Sequence, residues 1–146
     1  MHLTVTPTPS EKDIEDIRQP LFKFNRQHIG SIDRIPLAVF TFNDIGSKVA
    51  GLVGSTFGNW LNIDYLWVAD QLRGEGMGSK LMHAAEREAR ARGCLYARVD
   101  TLSFQARPFY EKQGYQVQMT LNQIPEHHQW YFLTKVLQSG GLSEVN

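Results

Sequence analysis

LWVADQLRGEGMGSKLMHAAEREARARG, residues 66–93, opens on a strand-like apolar triplet, crosses a loop crowded with glycine and continues as an amphipathic helix. Within it, Gly74, Gly76 and Gly78 precede a helix start, although glycine disfavours helix. Either the backbone turns tightly there, or something approaches it more closely than a Cβ allows. Met77, Leu81, Ala84/Ala85 and Glu88/Ala89 follow at helical spacing, with Glu86→Arg90 and Glu88→Arg92 as i,i+4 pairs on the wet face. Gly93 is a natural C′ stop.

Outward from this stretch, NIDYLWV (62–68) and CLYARVDT (94–101) read as strands, so 62–101 forms a β-loop-α-β unit with a parallel pair. Upstream, PLAVFTFND (36–44) and KVAGLVGSTFG (48–58) join 62–68 in an antiparallel meander, with a hairpin turn at NDIGSK. The glycines of 48–58 suggest a bulge or close packing. LTVT (3–6) alternates as a first strand, and Ser10 with Asp13 resembles a capping box ahead of a helix that Pro20 should break or kink. Downstream, QARPFYEKQ (105–113) reads as a short helix. YQVQMTLN (115–122) and WYFLTKVL (130–137) read as strands paired across QIPEHHQ.

The chain of 146 residues suits one domain, expected over 1–138 with a flexible Gly-rich tail at 139–146. Lys plus Arg equals Asp plus Glu at 15 each, so no bulk field favours nucleic acid or an anionic membrane. No apolar run reaches the ~18 residues of a membrane helix, and MHLTVTPTPSEKD lacks a secretory pattern. The single cysteine, Cys94, fits a reducing compartment, and a cytoplasmic location is the expectation.

A loop entering a helix offers unpaired N–H groups and the positive end of the macrodipole, a ready phosphate site to which Arg73 adds a cation. A Walker loop fits poorly, because Gly74 and Ser79-Lys80 are wrongly spaced. A Rossmann fingerprint fits weakly, because the spacing is GxGxG and the loop follows a late strand. A purely structural turn remains open on the glycines alone.

Gln71-Leu72-Arg73-Gly74-Glu75-Gly76 matches Q/R-x-x-G-x-G/A, and about 30 residues later Ala106-Arg107-Pro108-Phe109-Tyr110-Glu111-Lys112-Gln113-Gly114-Tyr115 follows an A-R-x-F-Y-E-K-x-G-[FY] pattern. In both segments the chain resembles the GNAT superfamily of N-acetyltransferases. The resemblance is specific over 60–137 and compatible in element order over 1–59. It implies an α/β GNAT fold: a mixed, mostly antiparallel sheet of about six to seven strands, a parallel splayed central pair, and three to four flanking helices.

The resemblance further implies acetyl-CoA as co-substrate and a direct transfer to an amine. The backbone amides of Arg73, Gly74, Glu75, Gly76, Met77, Gly78 and Ser79 would hold the pyrophosphate, with the Glu75 side chain turned to solvent. Leu66, Trp67 and Val68 would bond the pantetheine arm in the gap between the splayed strands. Ser103, Gln105 and Phe109 belong to the opposite wall, and Ser103 stands where many relatives carry Asn. Tyr110 matches the tyrosine that donates to the departing thiolate. No metal is implied.

Asp64 is the candidate base or amine-binding acid, since it lies two residues before Leu66 on the same strand face if alternation holds. His127 and His128 sit in the loop that overhangs the acceptor site in the family, but read as exposed loop residues. His83 reads as a surface or half-buried residue and Cys94 as a small buried hydrophobe. Trp60, Trp67, Trp130, Phe22, Phe24 and Phe104 read as core aromatics, with Phe24 and Asn25 alternatively lining the acceptor pocket. The functional expectation is a small-molecule amine acetyltransferase. A peptide or protein amine acceptor and a non-catalytic acetyl-CoA sensor are the alternatives, and a homodimer fits the family.

Overall fold

The computed structural model describes residues 1–30 and 32–138, so the tail expected at 139–146 lies outside the described residues. Met1–Ile32 and the chain from Asp33 onward are separate compact units. In the first, Ser10 Oγ accepts from the Asp13 N–H at 3.0 Å while Asp13 Oδ2 accepts from the Ser10 N–H at 2.9 Å. This reciprocal cap starts α1, Glu11–Ile29. The helix runs through Pro20 instead of ending there, and Gly30, at φ +78°, closes it by donating to the Arg26 carbonyl. The strand expected at 3–6 does not form. Alternation makes a strand only where a neighbour takes up its backbone groups, and this segment is paired to none.

The second unit follows the expected order: β1 (Arg34–Phe42), β2 (Lys48–Phe57), β3 (Trp60–Val68), a 3₁₀ turn (Asp70–Leu72), α2 (Met77–Ala91), β4 (Tyr96–Leu102), α3 (Arg107–Lys112), β5 (Gln116–Asn122) and β6 (Gln129–Val136). Six strands form one sheet in the order β1-β2-β3-β4-β6-β5. Only β3 and β4 are parallel, and the remaining neighbours are antiparallel. β6 lies between β4 and β5, so the apolar WYFLTKVL segment is internal and offers no free edge.

Helix α2 packs by a narrow stripe of small and aliphatic residues. Leu81, Ala85 and Ala89, four apart, are buried with Met82 in a core shared with Leu52, Leu61, Ile63, Val99 and Leu133. The alanines let the helix axis lie close to the sheet. Glu86 is on this buried side at 1% exposure, which overturns its expected wet-face pairing with Arg90. It accepts from Tyr115 Oη at 2.8 Å and from Lys135 Nζ at 2.9 Å, while Arg90 donates to the Leu137 carbonyl. The Glu88–Arg92 pair forms as expected, at 2.8 Å. Several aromatics expected in the core are exposed instead, among them Trp67, Phe104, Phe22 and Phe24.

Two irregularities shape the sheet centre. The β2–β3 register shifts between Val53 and Gly54, whose partners are Tyr65 and Ile63, leaving Asp64 as the bulged residue with no partner opposite. A Cβ on Gly54 would collide with the Asn62 carbonyl oxygen, so the bulge requires glycine there. Meanwhile β3 and β4 pair only from Trp60↔Tyr96 to Ile63↔Val99. Beyond that they separate, although β3 runs on to Val68 and β4 to Leu102.

Candidate active site

The gap between the diverging strands is the candidate site. The β3 segment 65–68 keeps its ladder to β2, but neither it nor the bulged Asp64 has a partner on the β4 side, so alternate N–H and C=O groups face open space. Two cavities occupy this space. One, of about 500 Å³, includes Asp64, Asp100, Gln105, Tyr110 and Trp130 in its lining. The other, of about 470 Å³, is bounded by Val68, Arg73, Gly74, Gly76, Ser79 and Phe109. Leu66, Ala106 and Tyr110 line both, which makes them the junction.

The loop end of the second cavity is built from backbone. The N–H groups of Gly74 through Ser79 donate to no backbone carbonyl among the described residues; the first helical bond runs from Lys80 to the Gly76 carbonyl. These orphan donors, at the positive end of α2, have the geometry of an anion cradle. The glycines serve two different purposes. Gly74 and Gly76 have φ of +82° and +79°, the left-handed region, and an added Cβ at either would meet nothing within 4 Å. Gly78 has ordinary φ but lies against Phe109 from α3. Close packing by the chain itself therefore accounts for Gly78. Arg73 lines the cavity, donating through Nε to the Val68 carbonyl at 3.3 Å and pairing with Asp70. Ser79 Oγ accepts from Gln113 Nε2 at 2.7 Å, tying α3 to the start of α2.

Tyr110 is only 6% exposed, and its hydroxyl makes no hydrogen bond within the described chain. Because no fully enclosed side-chain polar atom among the described residues lacks a partner, and Tyr110 lines both cavities, that hydroxyl opens onto them. Its pKa is pushed up to about 12, first by burial and then by the negative charge of Asp100. The group is therefore a neutral O–H donor across the physiological range.

Of the residues expected at the site, Leu66, Val68, Arg73, Gly74, Gly76, Met77, Gly78, Ser79, Phe109 and Tyr110 come together around the second cavity. Asp64, Leu66, Trp67, Gln105 and Tyr110 line the first. Gln105 also has a structural task, its Oε1 accepting from the Leu102 N–H at 2.8 Å. Glu75 is exposed and lines neither cavity. Ser103 lines neither cavity: its hydroxyl accepts from the Gln129 N–H at 3.1 Å and lies 3.3 Å from His128 Nδ1. Those contacts brace the β5–β6 loop against the end of β4. His127 and His83 are exposed, and Cys94 is fully buried, its thiol pushed up by burial and partly offset by Arg92.

Sequence reasoning missed Asp100 and Trp130. Trp130 Nε1 donates to Asp100 Oδ2 at 2.8 Å across the β4–β6 pairing, fixing the carboxylate at the cavity wall. The available signal was positional. Asp100 is the first β4 residue past the last pair with β3, where a strand in a splayed pair turns groups into the gap.

A model of the Acetyltransferase (GNAT) family matches residues 8–115. An acetyltransferase from Agrobacterium fabrum is 40% identical over 99 residues, 68% of this chain and 72% of that protein. A blasticidin-S acetyltransferase from Streptomyces morookaense is 33% identical over 133 residues, covering 88% of this chain and 97% of its own. Among solved structures, that of an Agrobacterium tumefaciens protein assigned as an acetyltransferase superposes with a TM-score of 0.88 at 32% identity, over 93% of this chain and 99% of that one.

Proposed function

The chain belongs to the GNAT family of acetyltransferases, and from that membership we propose that it moves an acetyl group from acetyl-CoA to a primary amine of a small molecule. The observation that carries this reading is the position of Tyr110: a buried, unpartnered hydroxyl at the junction between a backbone anion cradle and a carboxylate-lined chamber. One cavity suits a donor with an anionic tail, the other an acceptor with a basic nitrogen. The two meet where transfer would take place.

The donor fits the residues present. The unpaired amides of Gly74 to Ser79 suit a pyrophosphate, and the open edge of β3 at 64–68 suits an extended amide-bearing arm. Acetyl-CoA would supply an acyl group activated as a thioester. Tyr110 Oη would then donate to the sulfur as it gains charge. With its pKa near 12 against about 8.5 for an ordinary thiol, the hydroxyl serves better as a hydrogen-bond donor than as a source of a fully transferred proton. A main-chain N–H of β3 beyond the bulge would stabilise the thioester oxygen. Asp64, exposed on the chamber wall, would take the proton of the attacking amine.

A small-molecule acceptor is supported by the blasticidin-S acetyltransferase, which aligns over nearly its whole length. The test is release of free thiol from acetyl-CoA in the presence of amine panels, alongside calorimetric CoA binding. Tyr110→Phe should retain CoA affinity and lose roughly 10²-fold in maximal rate, the usual scale for one preorganised donor. A rate within twofold of the parent would overturn the assigned role.

A further inference from the structure

We propose that the acceptor carries a second cationic group besides the reacting amine, and that Asp100 holds it. This rests on the acetyl-transfer reading and narrows its substrate class. The chamber has two carboxylates, Asp64 on β3 and Asp100 on β4, and no Lys, Arg or His in its lining. Neither carboxylate forms an ion pair among the described residues. Among the described residues, the only side-chain hydrogen bond to either comes from the neutral indole N–H of Trp130, onto Asp100 Oδ2, and none reaches Asp100 Oδ1. Tyr110, more than nine-tenths buried and with its hydroxyl unpartnered among the described residues, lines the same chamber close enough for the Asp100 charge to act on it, and marks it as a place built to receive a ligand.

The charge count decides the class. An amine must be neutral when it attacks, so the reacting ammonium gives one proton to Asp64, and the second proton it sheds on becoming an amide leaves with the thiolate as free thiol; that nitrogen then no longer offsets a negative charge. Asp100 then still faces the chamber as an uncompensated carboxylate beside the reaction centre. A substrate arriving as a dication neutralises both acids on entry and retains one positive charge opposite Asp100 during transfer. A monoamine leaves that carboxylate to water. The indole of Trp130, bonded to Asp100 and lining the chamber, adds a ring suited to an ammonium or guanidinium. The predicted class is thus a diamine or an amine bearing a guanidinium.

Calorimetric titration of the CoA-loaded protein with putrescine, agmatine and n-butylamine tests this. Both dications should bind about tenfold more tightly than n-butylamine, a difference near 1.4 kcal/mol. In Asp100→Asn the preference should fall to within about twofold while CoA affinity stays unchanged. Equal binding of all three probes by the parent protein, or a preference that survives in Asp100→Asn, overturns the proposal. Should that variant fail to fold, the parent protein still decides: the preference should shrink steeply as ionic strength rises, and a salt-insensitive preference overturns it. Thiol release separates the two readings. Selective dication binding without thiol release supports the cation site and counts against acetyl transfer; equal turnover of all three amines does the reverse.

Discussion

Gly78 lies flat against the ring of Phe109, so that a Cβ on the glycine would stand 3.1 Å from Phe109 Cζ and 3.2 Å from Cε1. This contact joins the glycine loop to the ARPFYEKQGY segment, and Phe109 in turn meets Tyr110 edge-on at 5.2 Å. The two sequence motifs therefore form one packed wall of the second cavity.

Gly78→Ala should displace that ring by a few tenths of an ångström. Helix propensity favours the substitution by up to about 1 kcal/mol, which offsets much of the steric strain. The expected result is a melting temperature close to the parent's with several-fold weaker CoA binding by calorimetry. Gly76→Ala should behave differently, since its penalty is a left-handed residue costing about 1–2 kcal/mol. A Gly78→Ala protein that binds CoA as the parent does would show that the ring position is irrelevant to the cavity.

The buried Glu86–Lys135 pair should respond asymmetrically to loss of either partner. The Lys135 side chain is 18% exposed and can turn to solvent, whereas Glu86, at 1%, cannot. Lys135→Met strands a buried carboxylate held only by Tyr115 and should cost about 3 kcal/mol or more. Glu86→Gln keeps one oxygen to accept from Lys135, and its amide N–H can donate to the Tyr115 hydroxyl in reversed sense, so it should cost roughly half as much. Urea unfolding midpoints check the order, and equal losses would contradict it.

Alkaline stability should fall earlier than an exposed tyrosine would require. Tyr110 and Tyr115 both have pKa values raised chiefly by burial, Tyr110 to about 12. Between pH 10 and 12 the unfolded chain releases these protons while the folded chain keeps them, so stability declines as pH rises. For Tyr110 the loss across that window is roughly 2–3 kcal/mol. Tyr110→Phe should flatten this part of the denaturation-versus-pH curve. An unchanged slope would place the hydroxyl in a more polar setting than its burial indicates.

Where local chemistry dominated, elements were legible in the sequence. Ser10 and Asp13 start α1, Gly93 stops α2 and the 62–101 segment forms the parallel unit, because capping and periodicity act over a few residues. Burial choices were less legible. Glu86 looked like half of a surface pair because helical spacing identifies i,i+4 neighbours without saying which side faces the sheet. Its actual partners, Tyr115 and Lys135, are 29 and 49 residues away. The strand expected at 3–6 failed for a related reason: alternation describes a face, while a strand also needs a neighbour.

The sequence by itself determined the family motifs, the order of elements after residue 33 and the glycine-rich entry to α2, all properties of contiguous residues. Only the tertiary structure decided what those residues surround. The bulge at Asp64 is a mismatch between two strands, the gap past Ile63 and Val99 is a divergence of two others, and the Asp100–Trp130 bond crosses a third pairing. Each is a relation between separate segments set by packing, and together they place two carboxylates and the Tyr110 hydroxyl around one chamber.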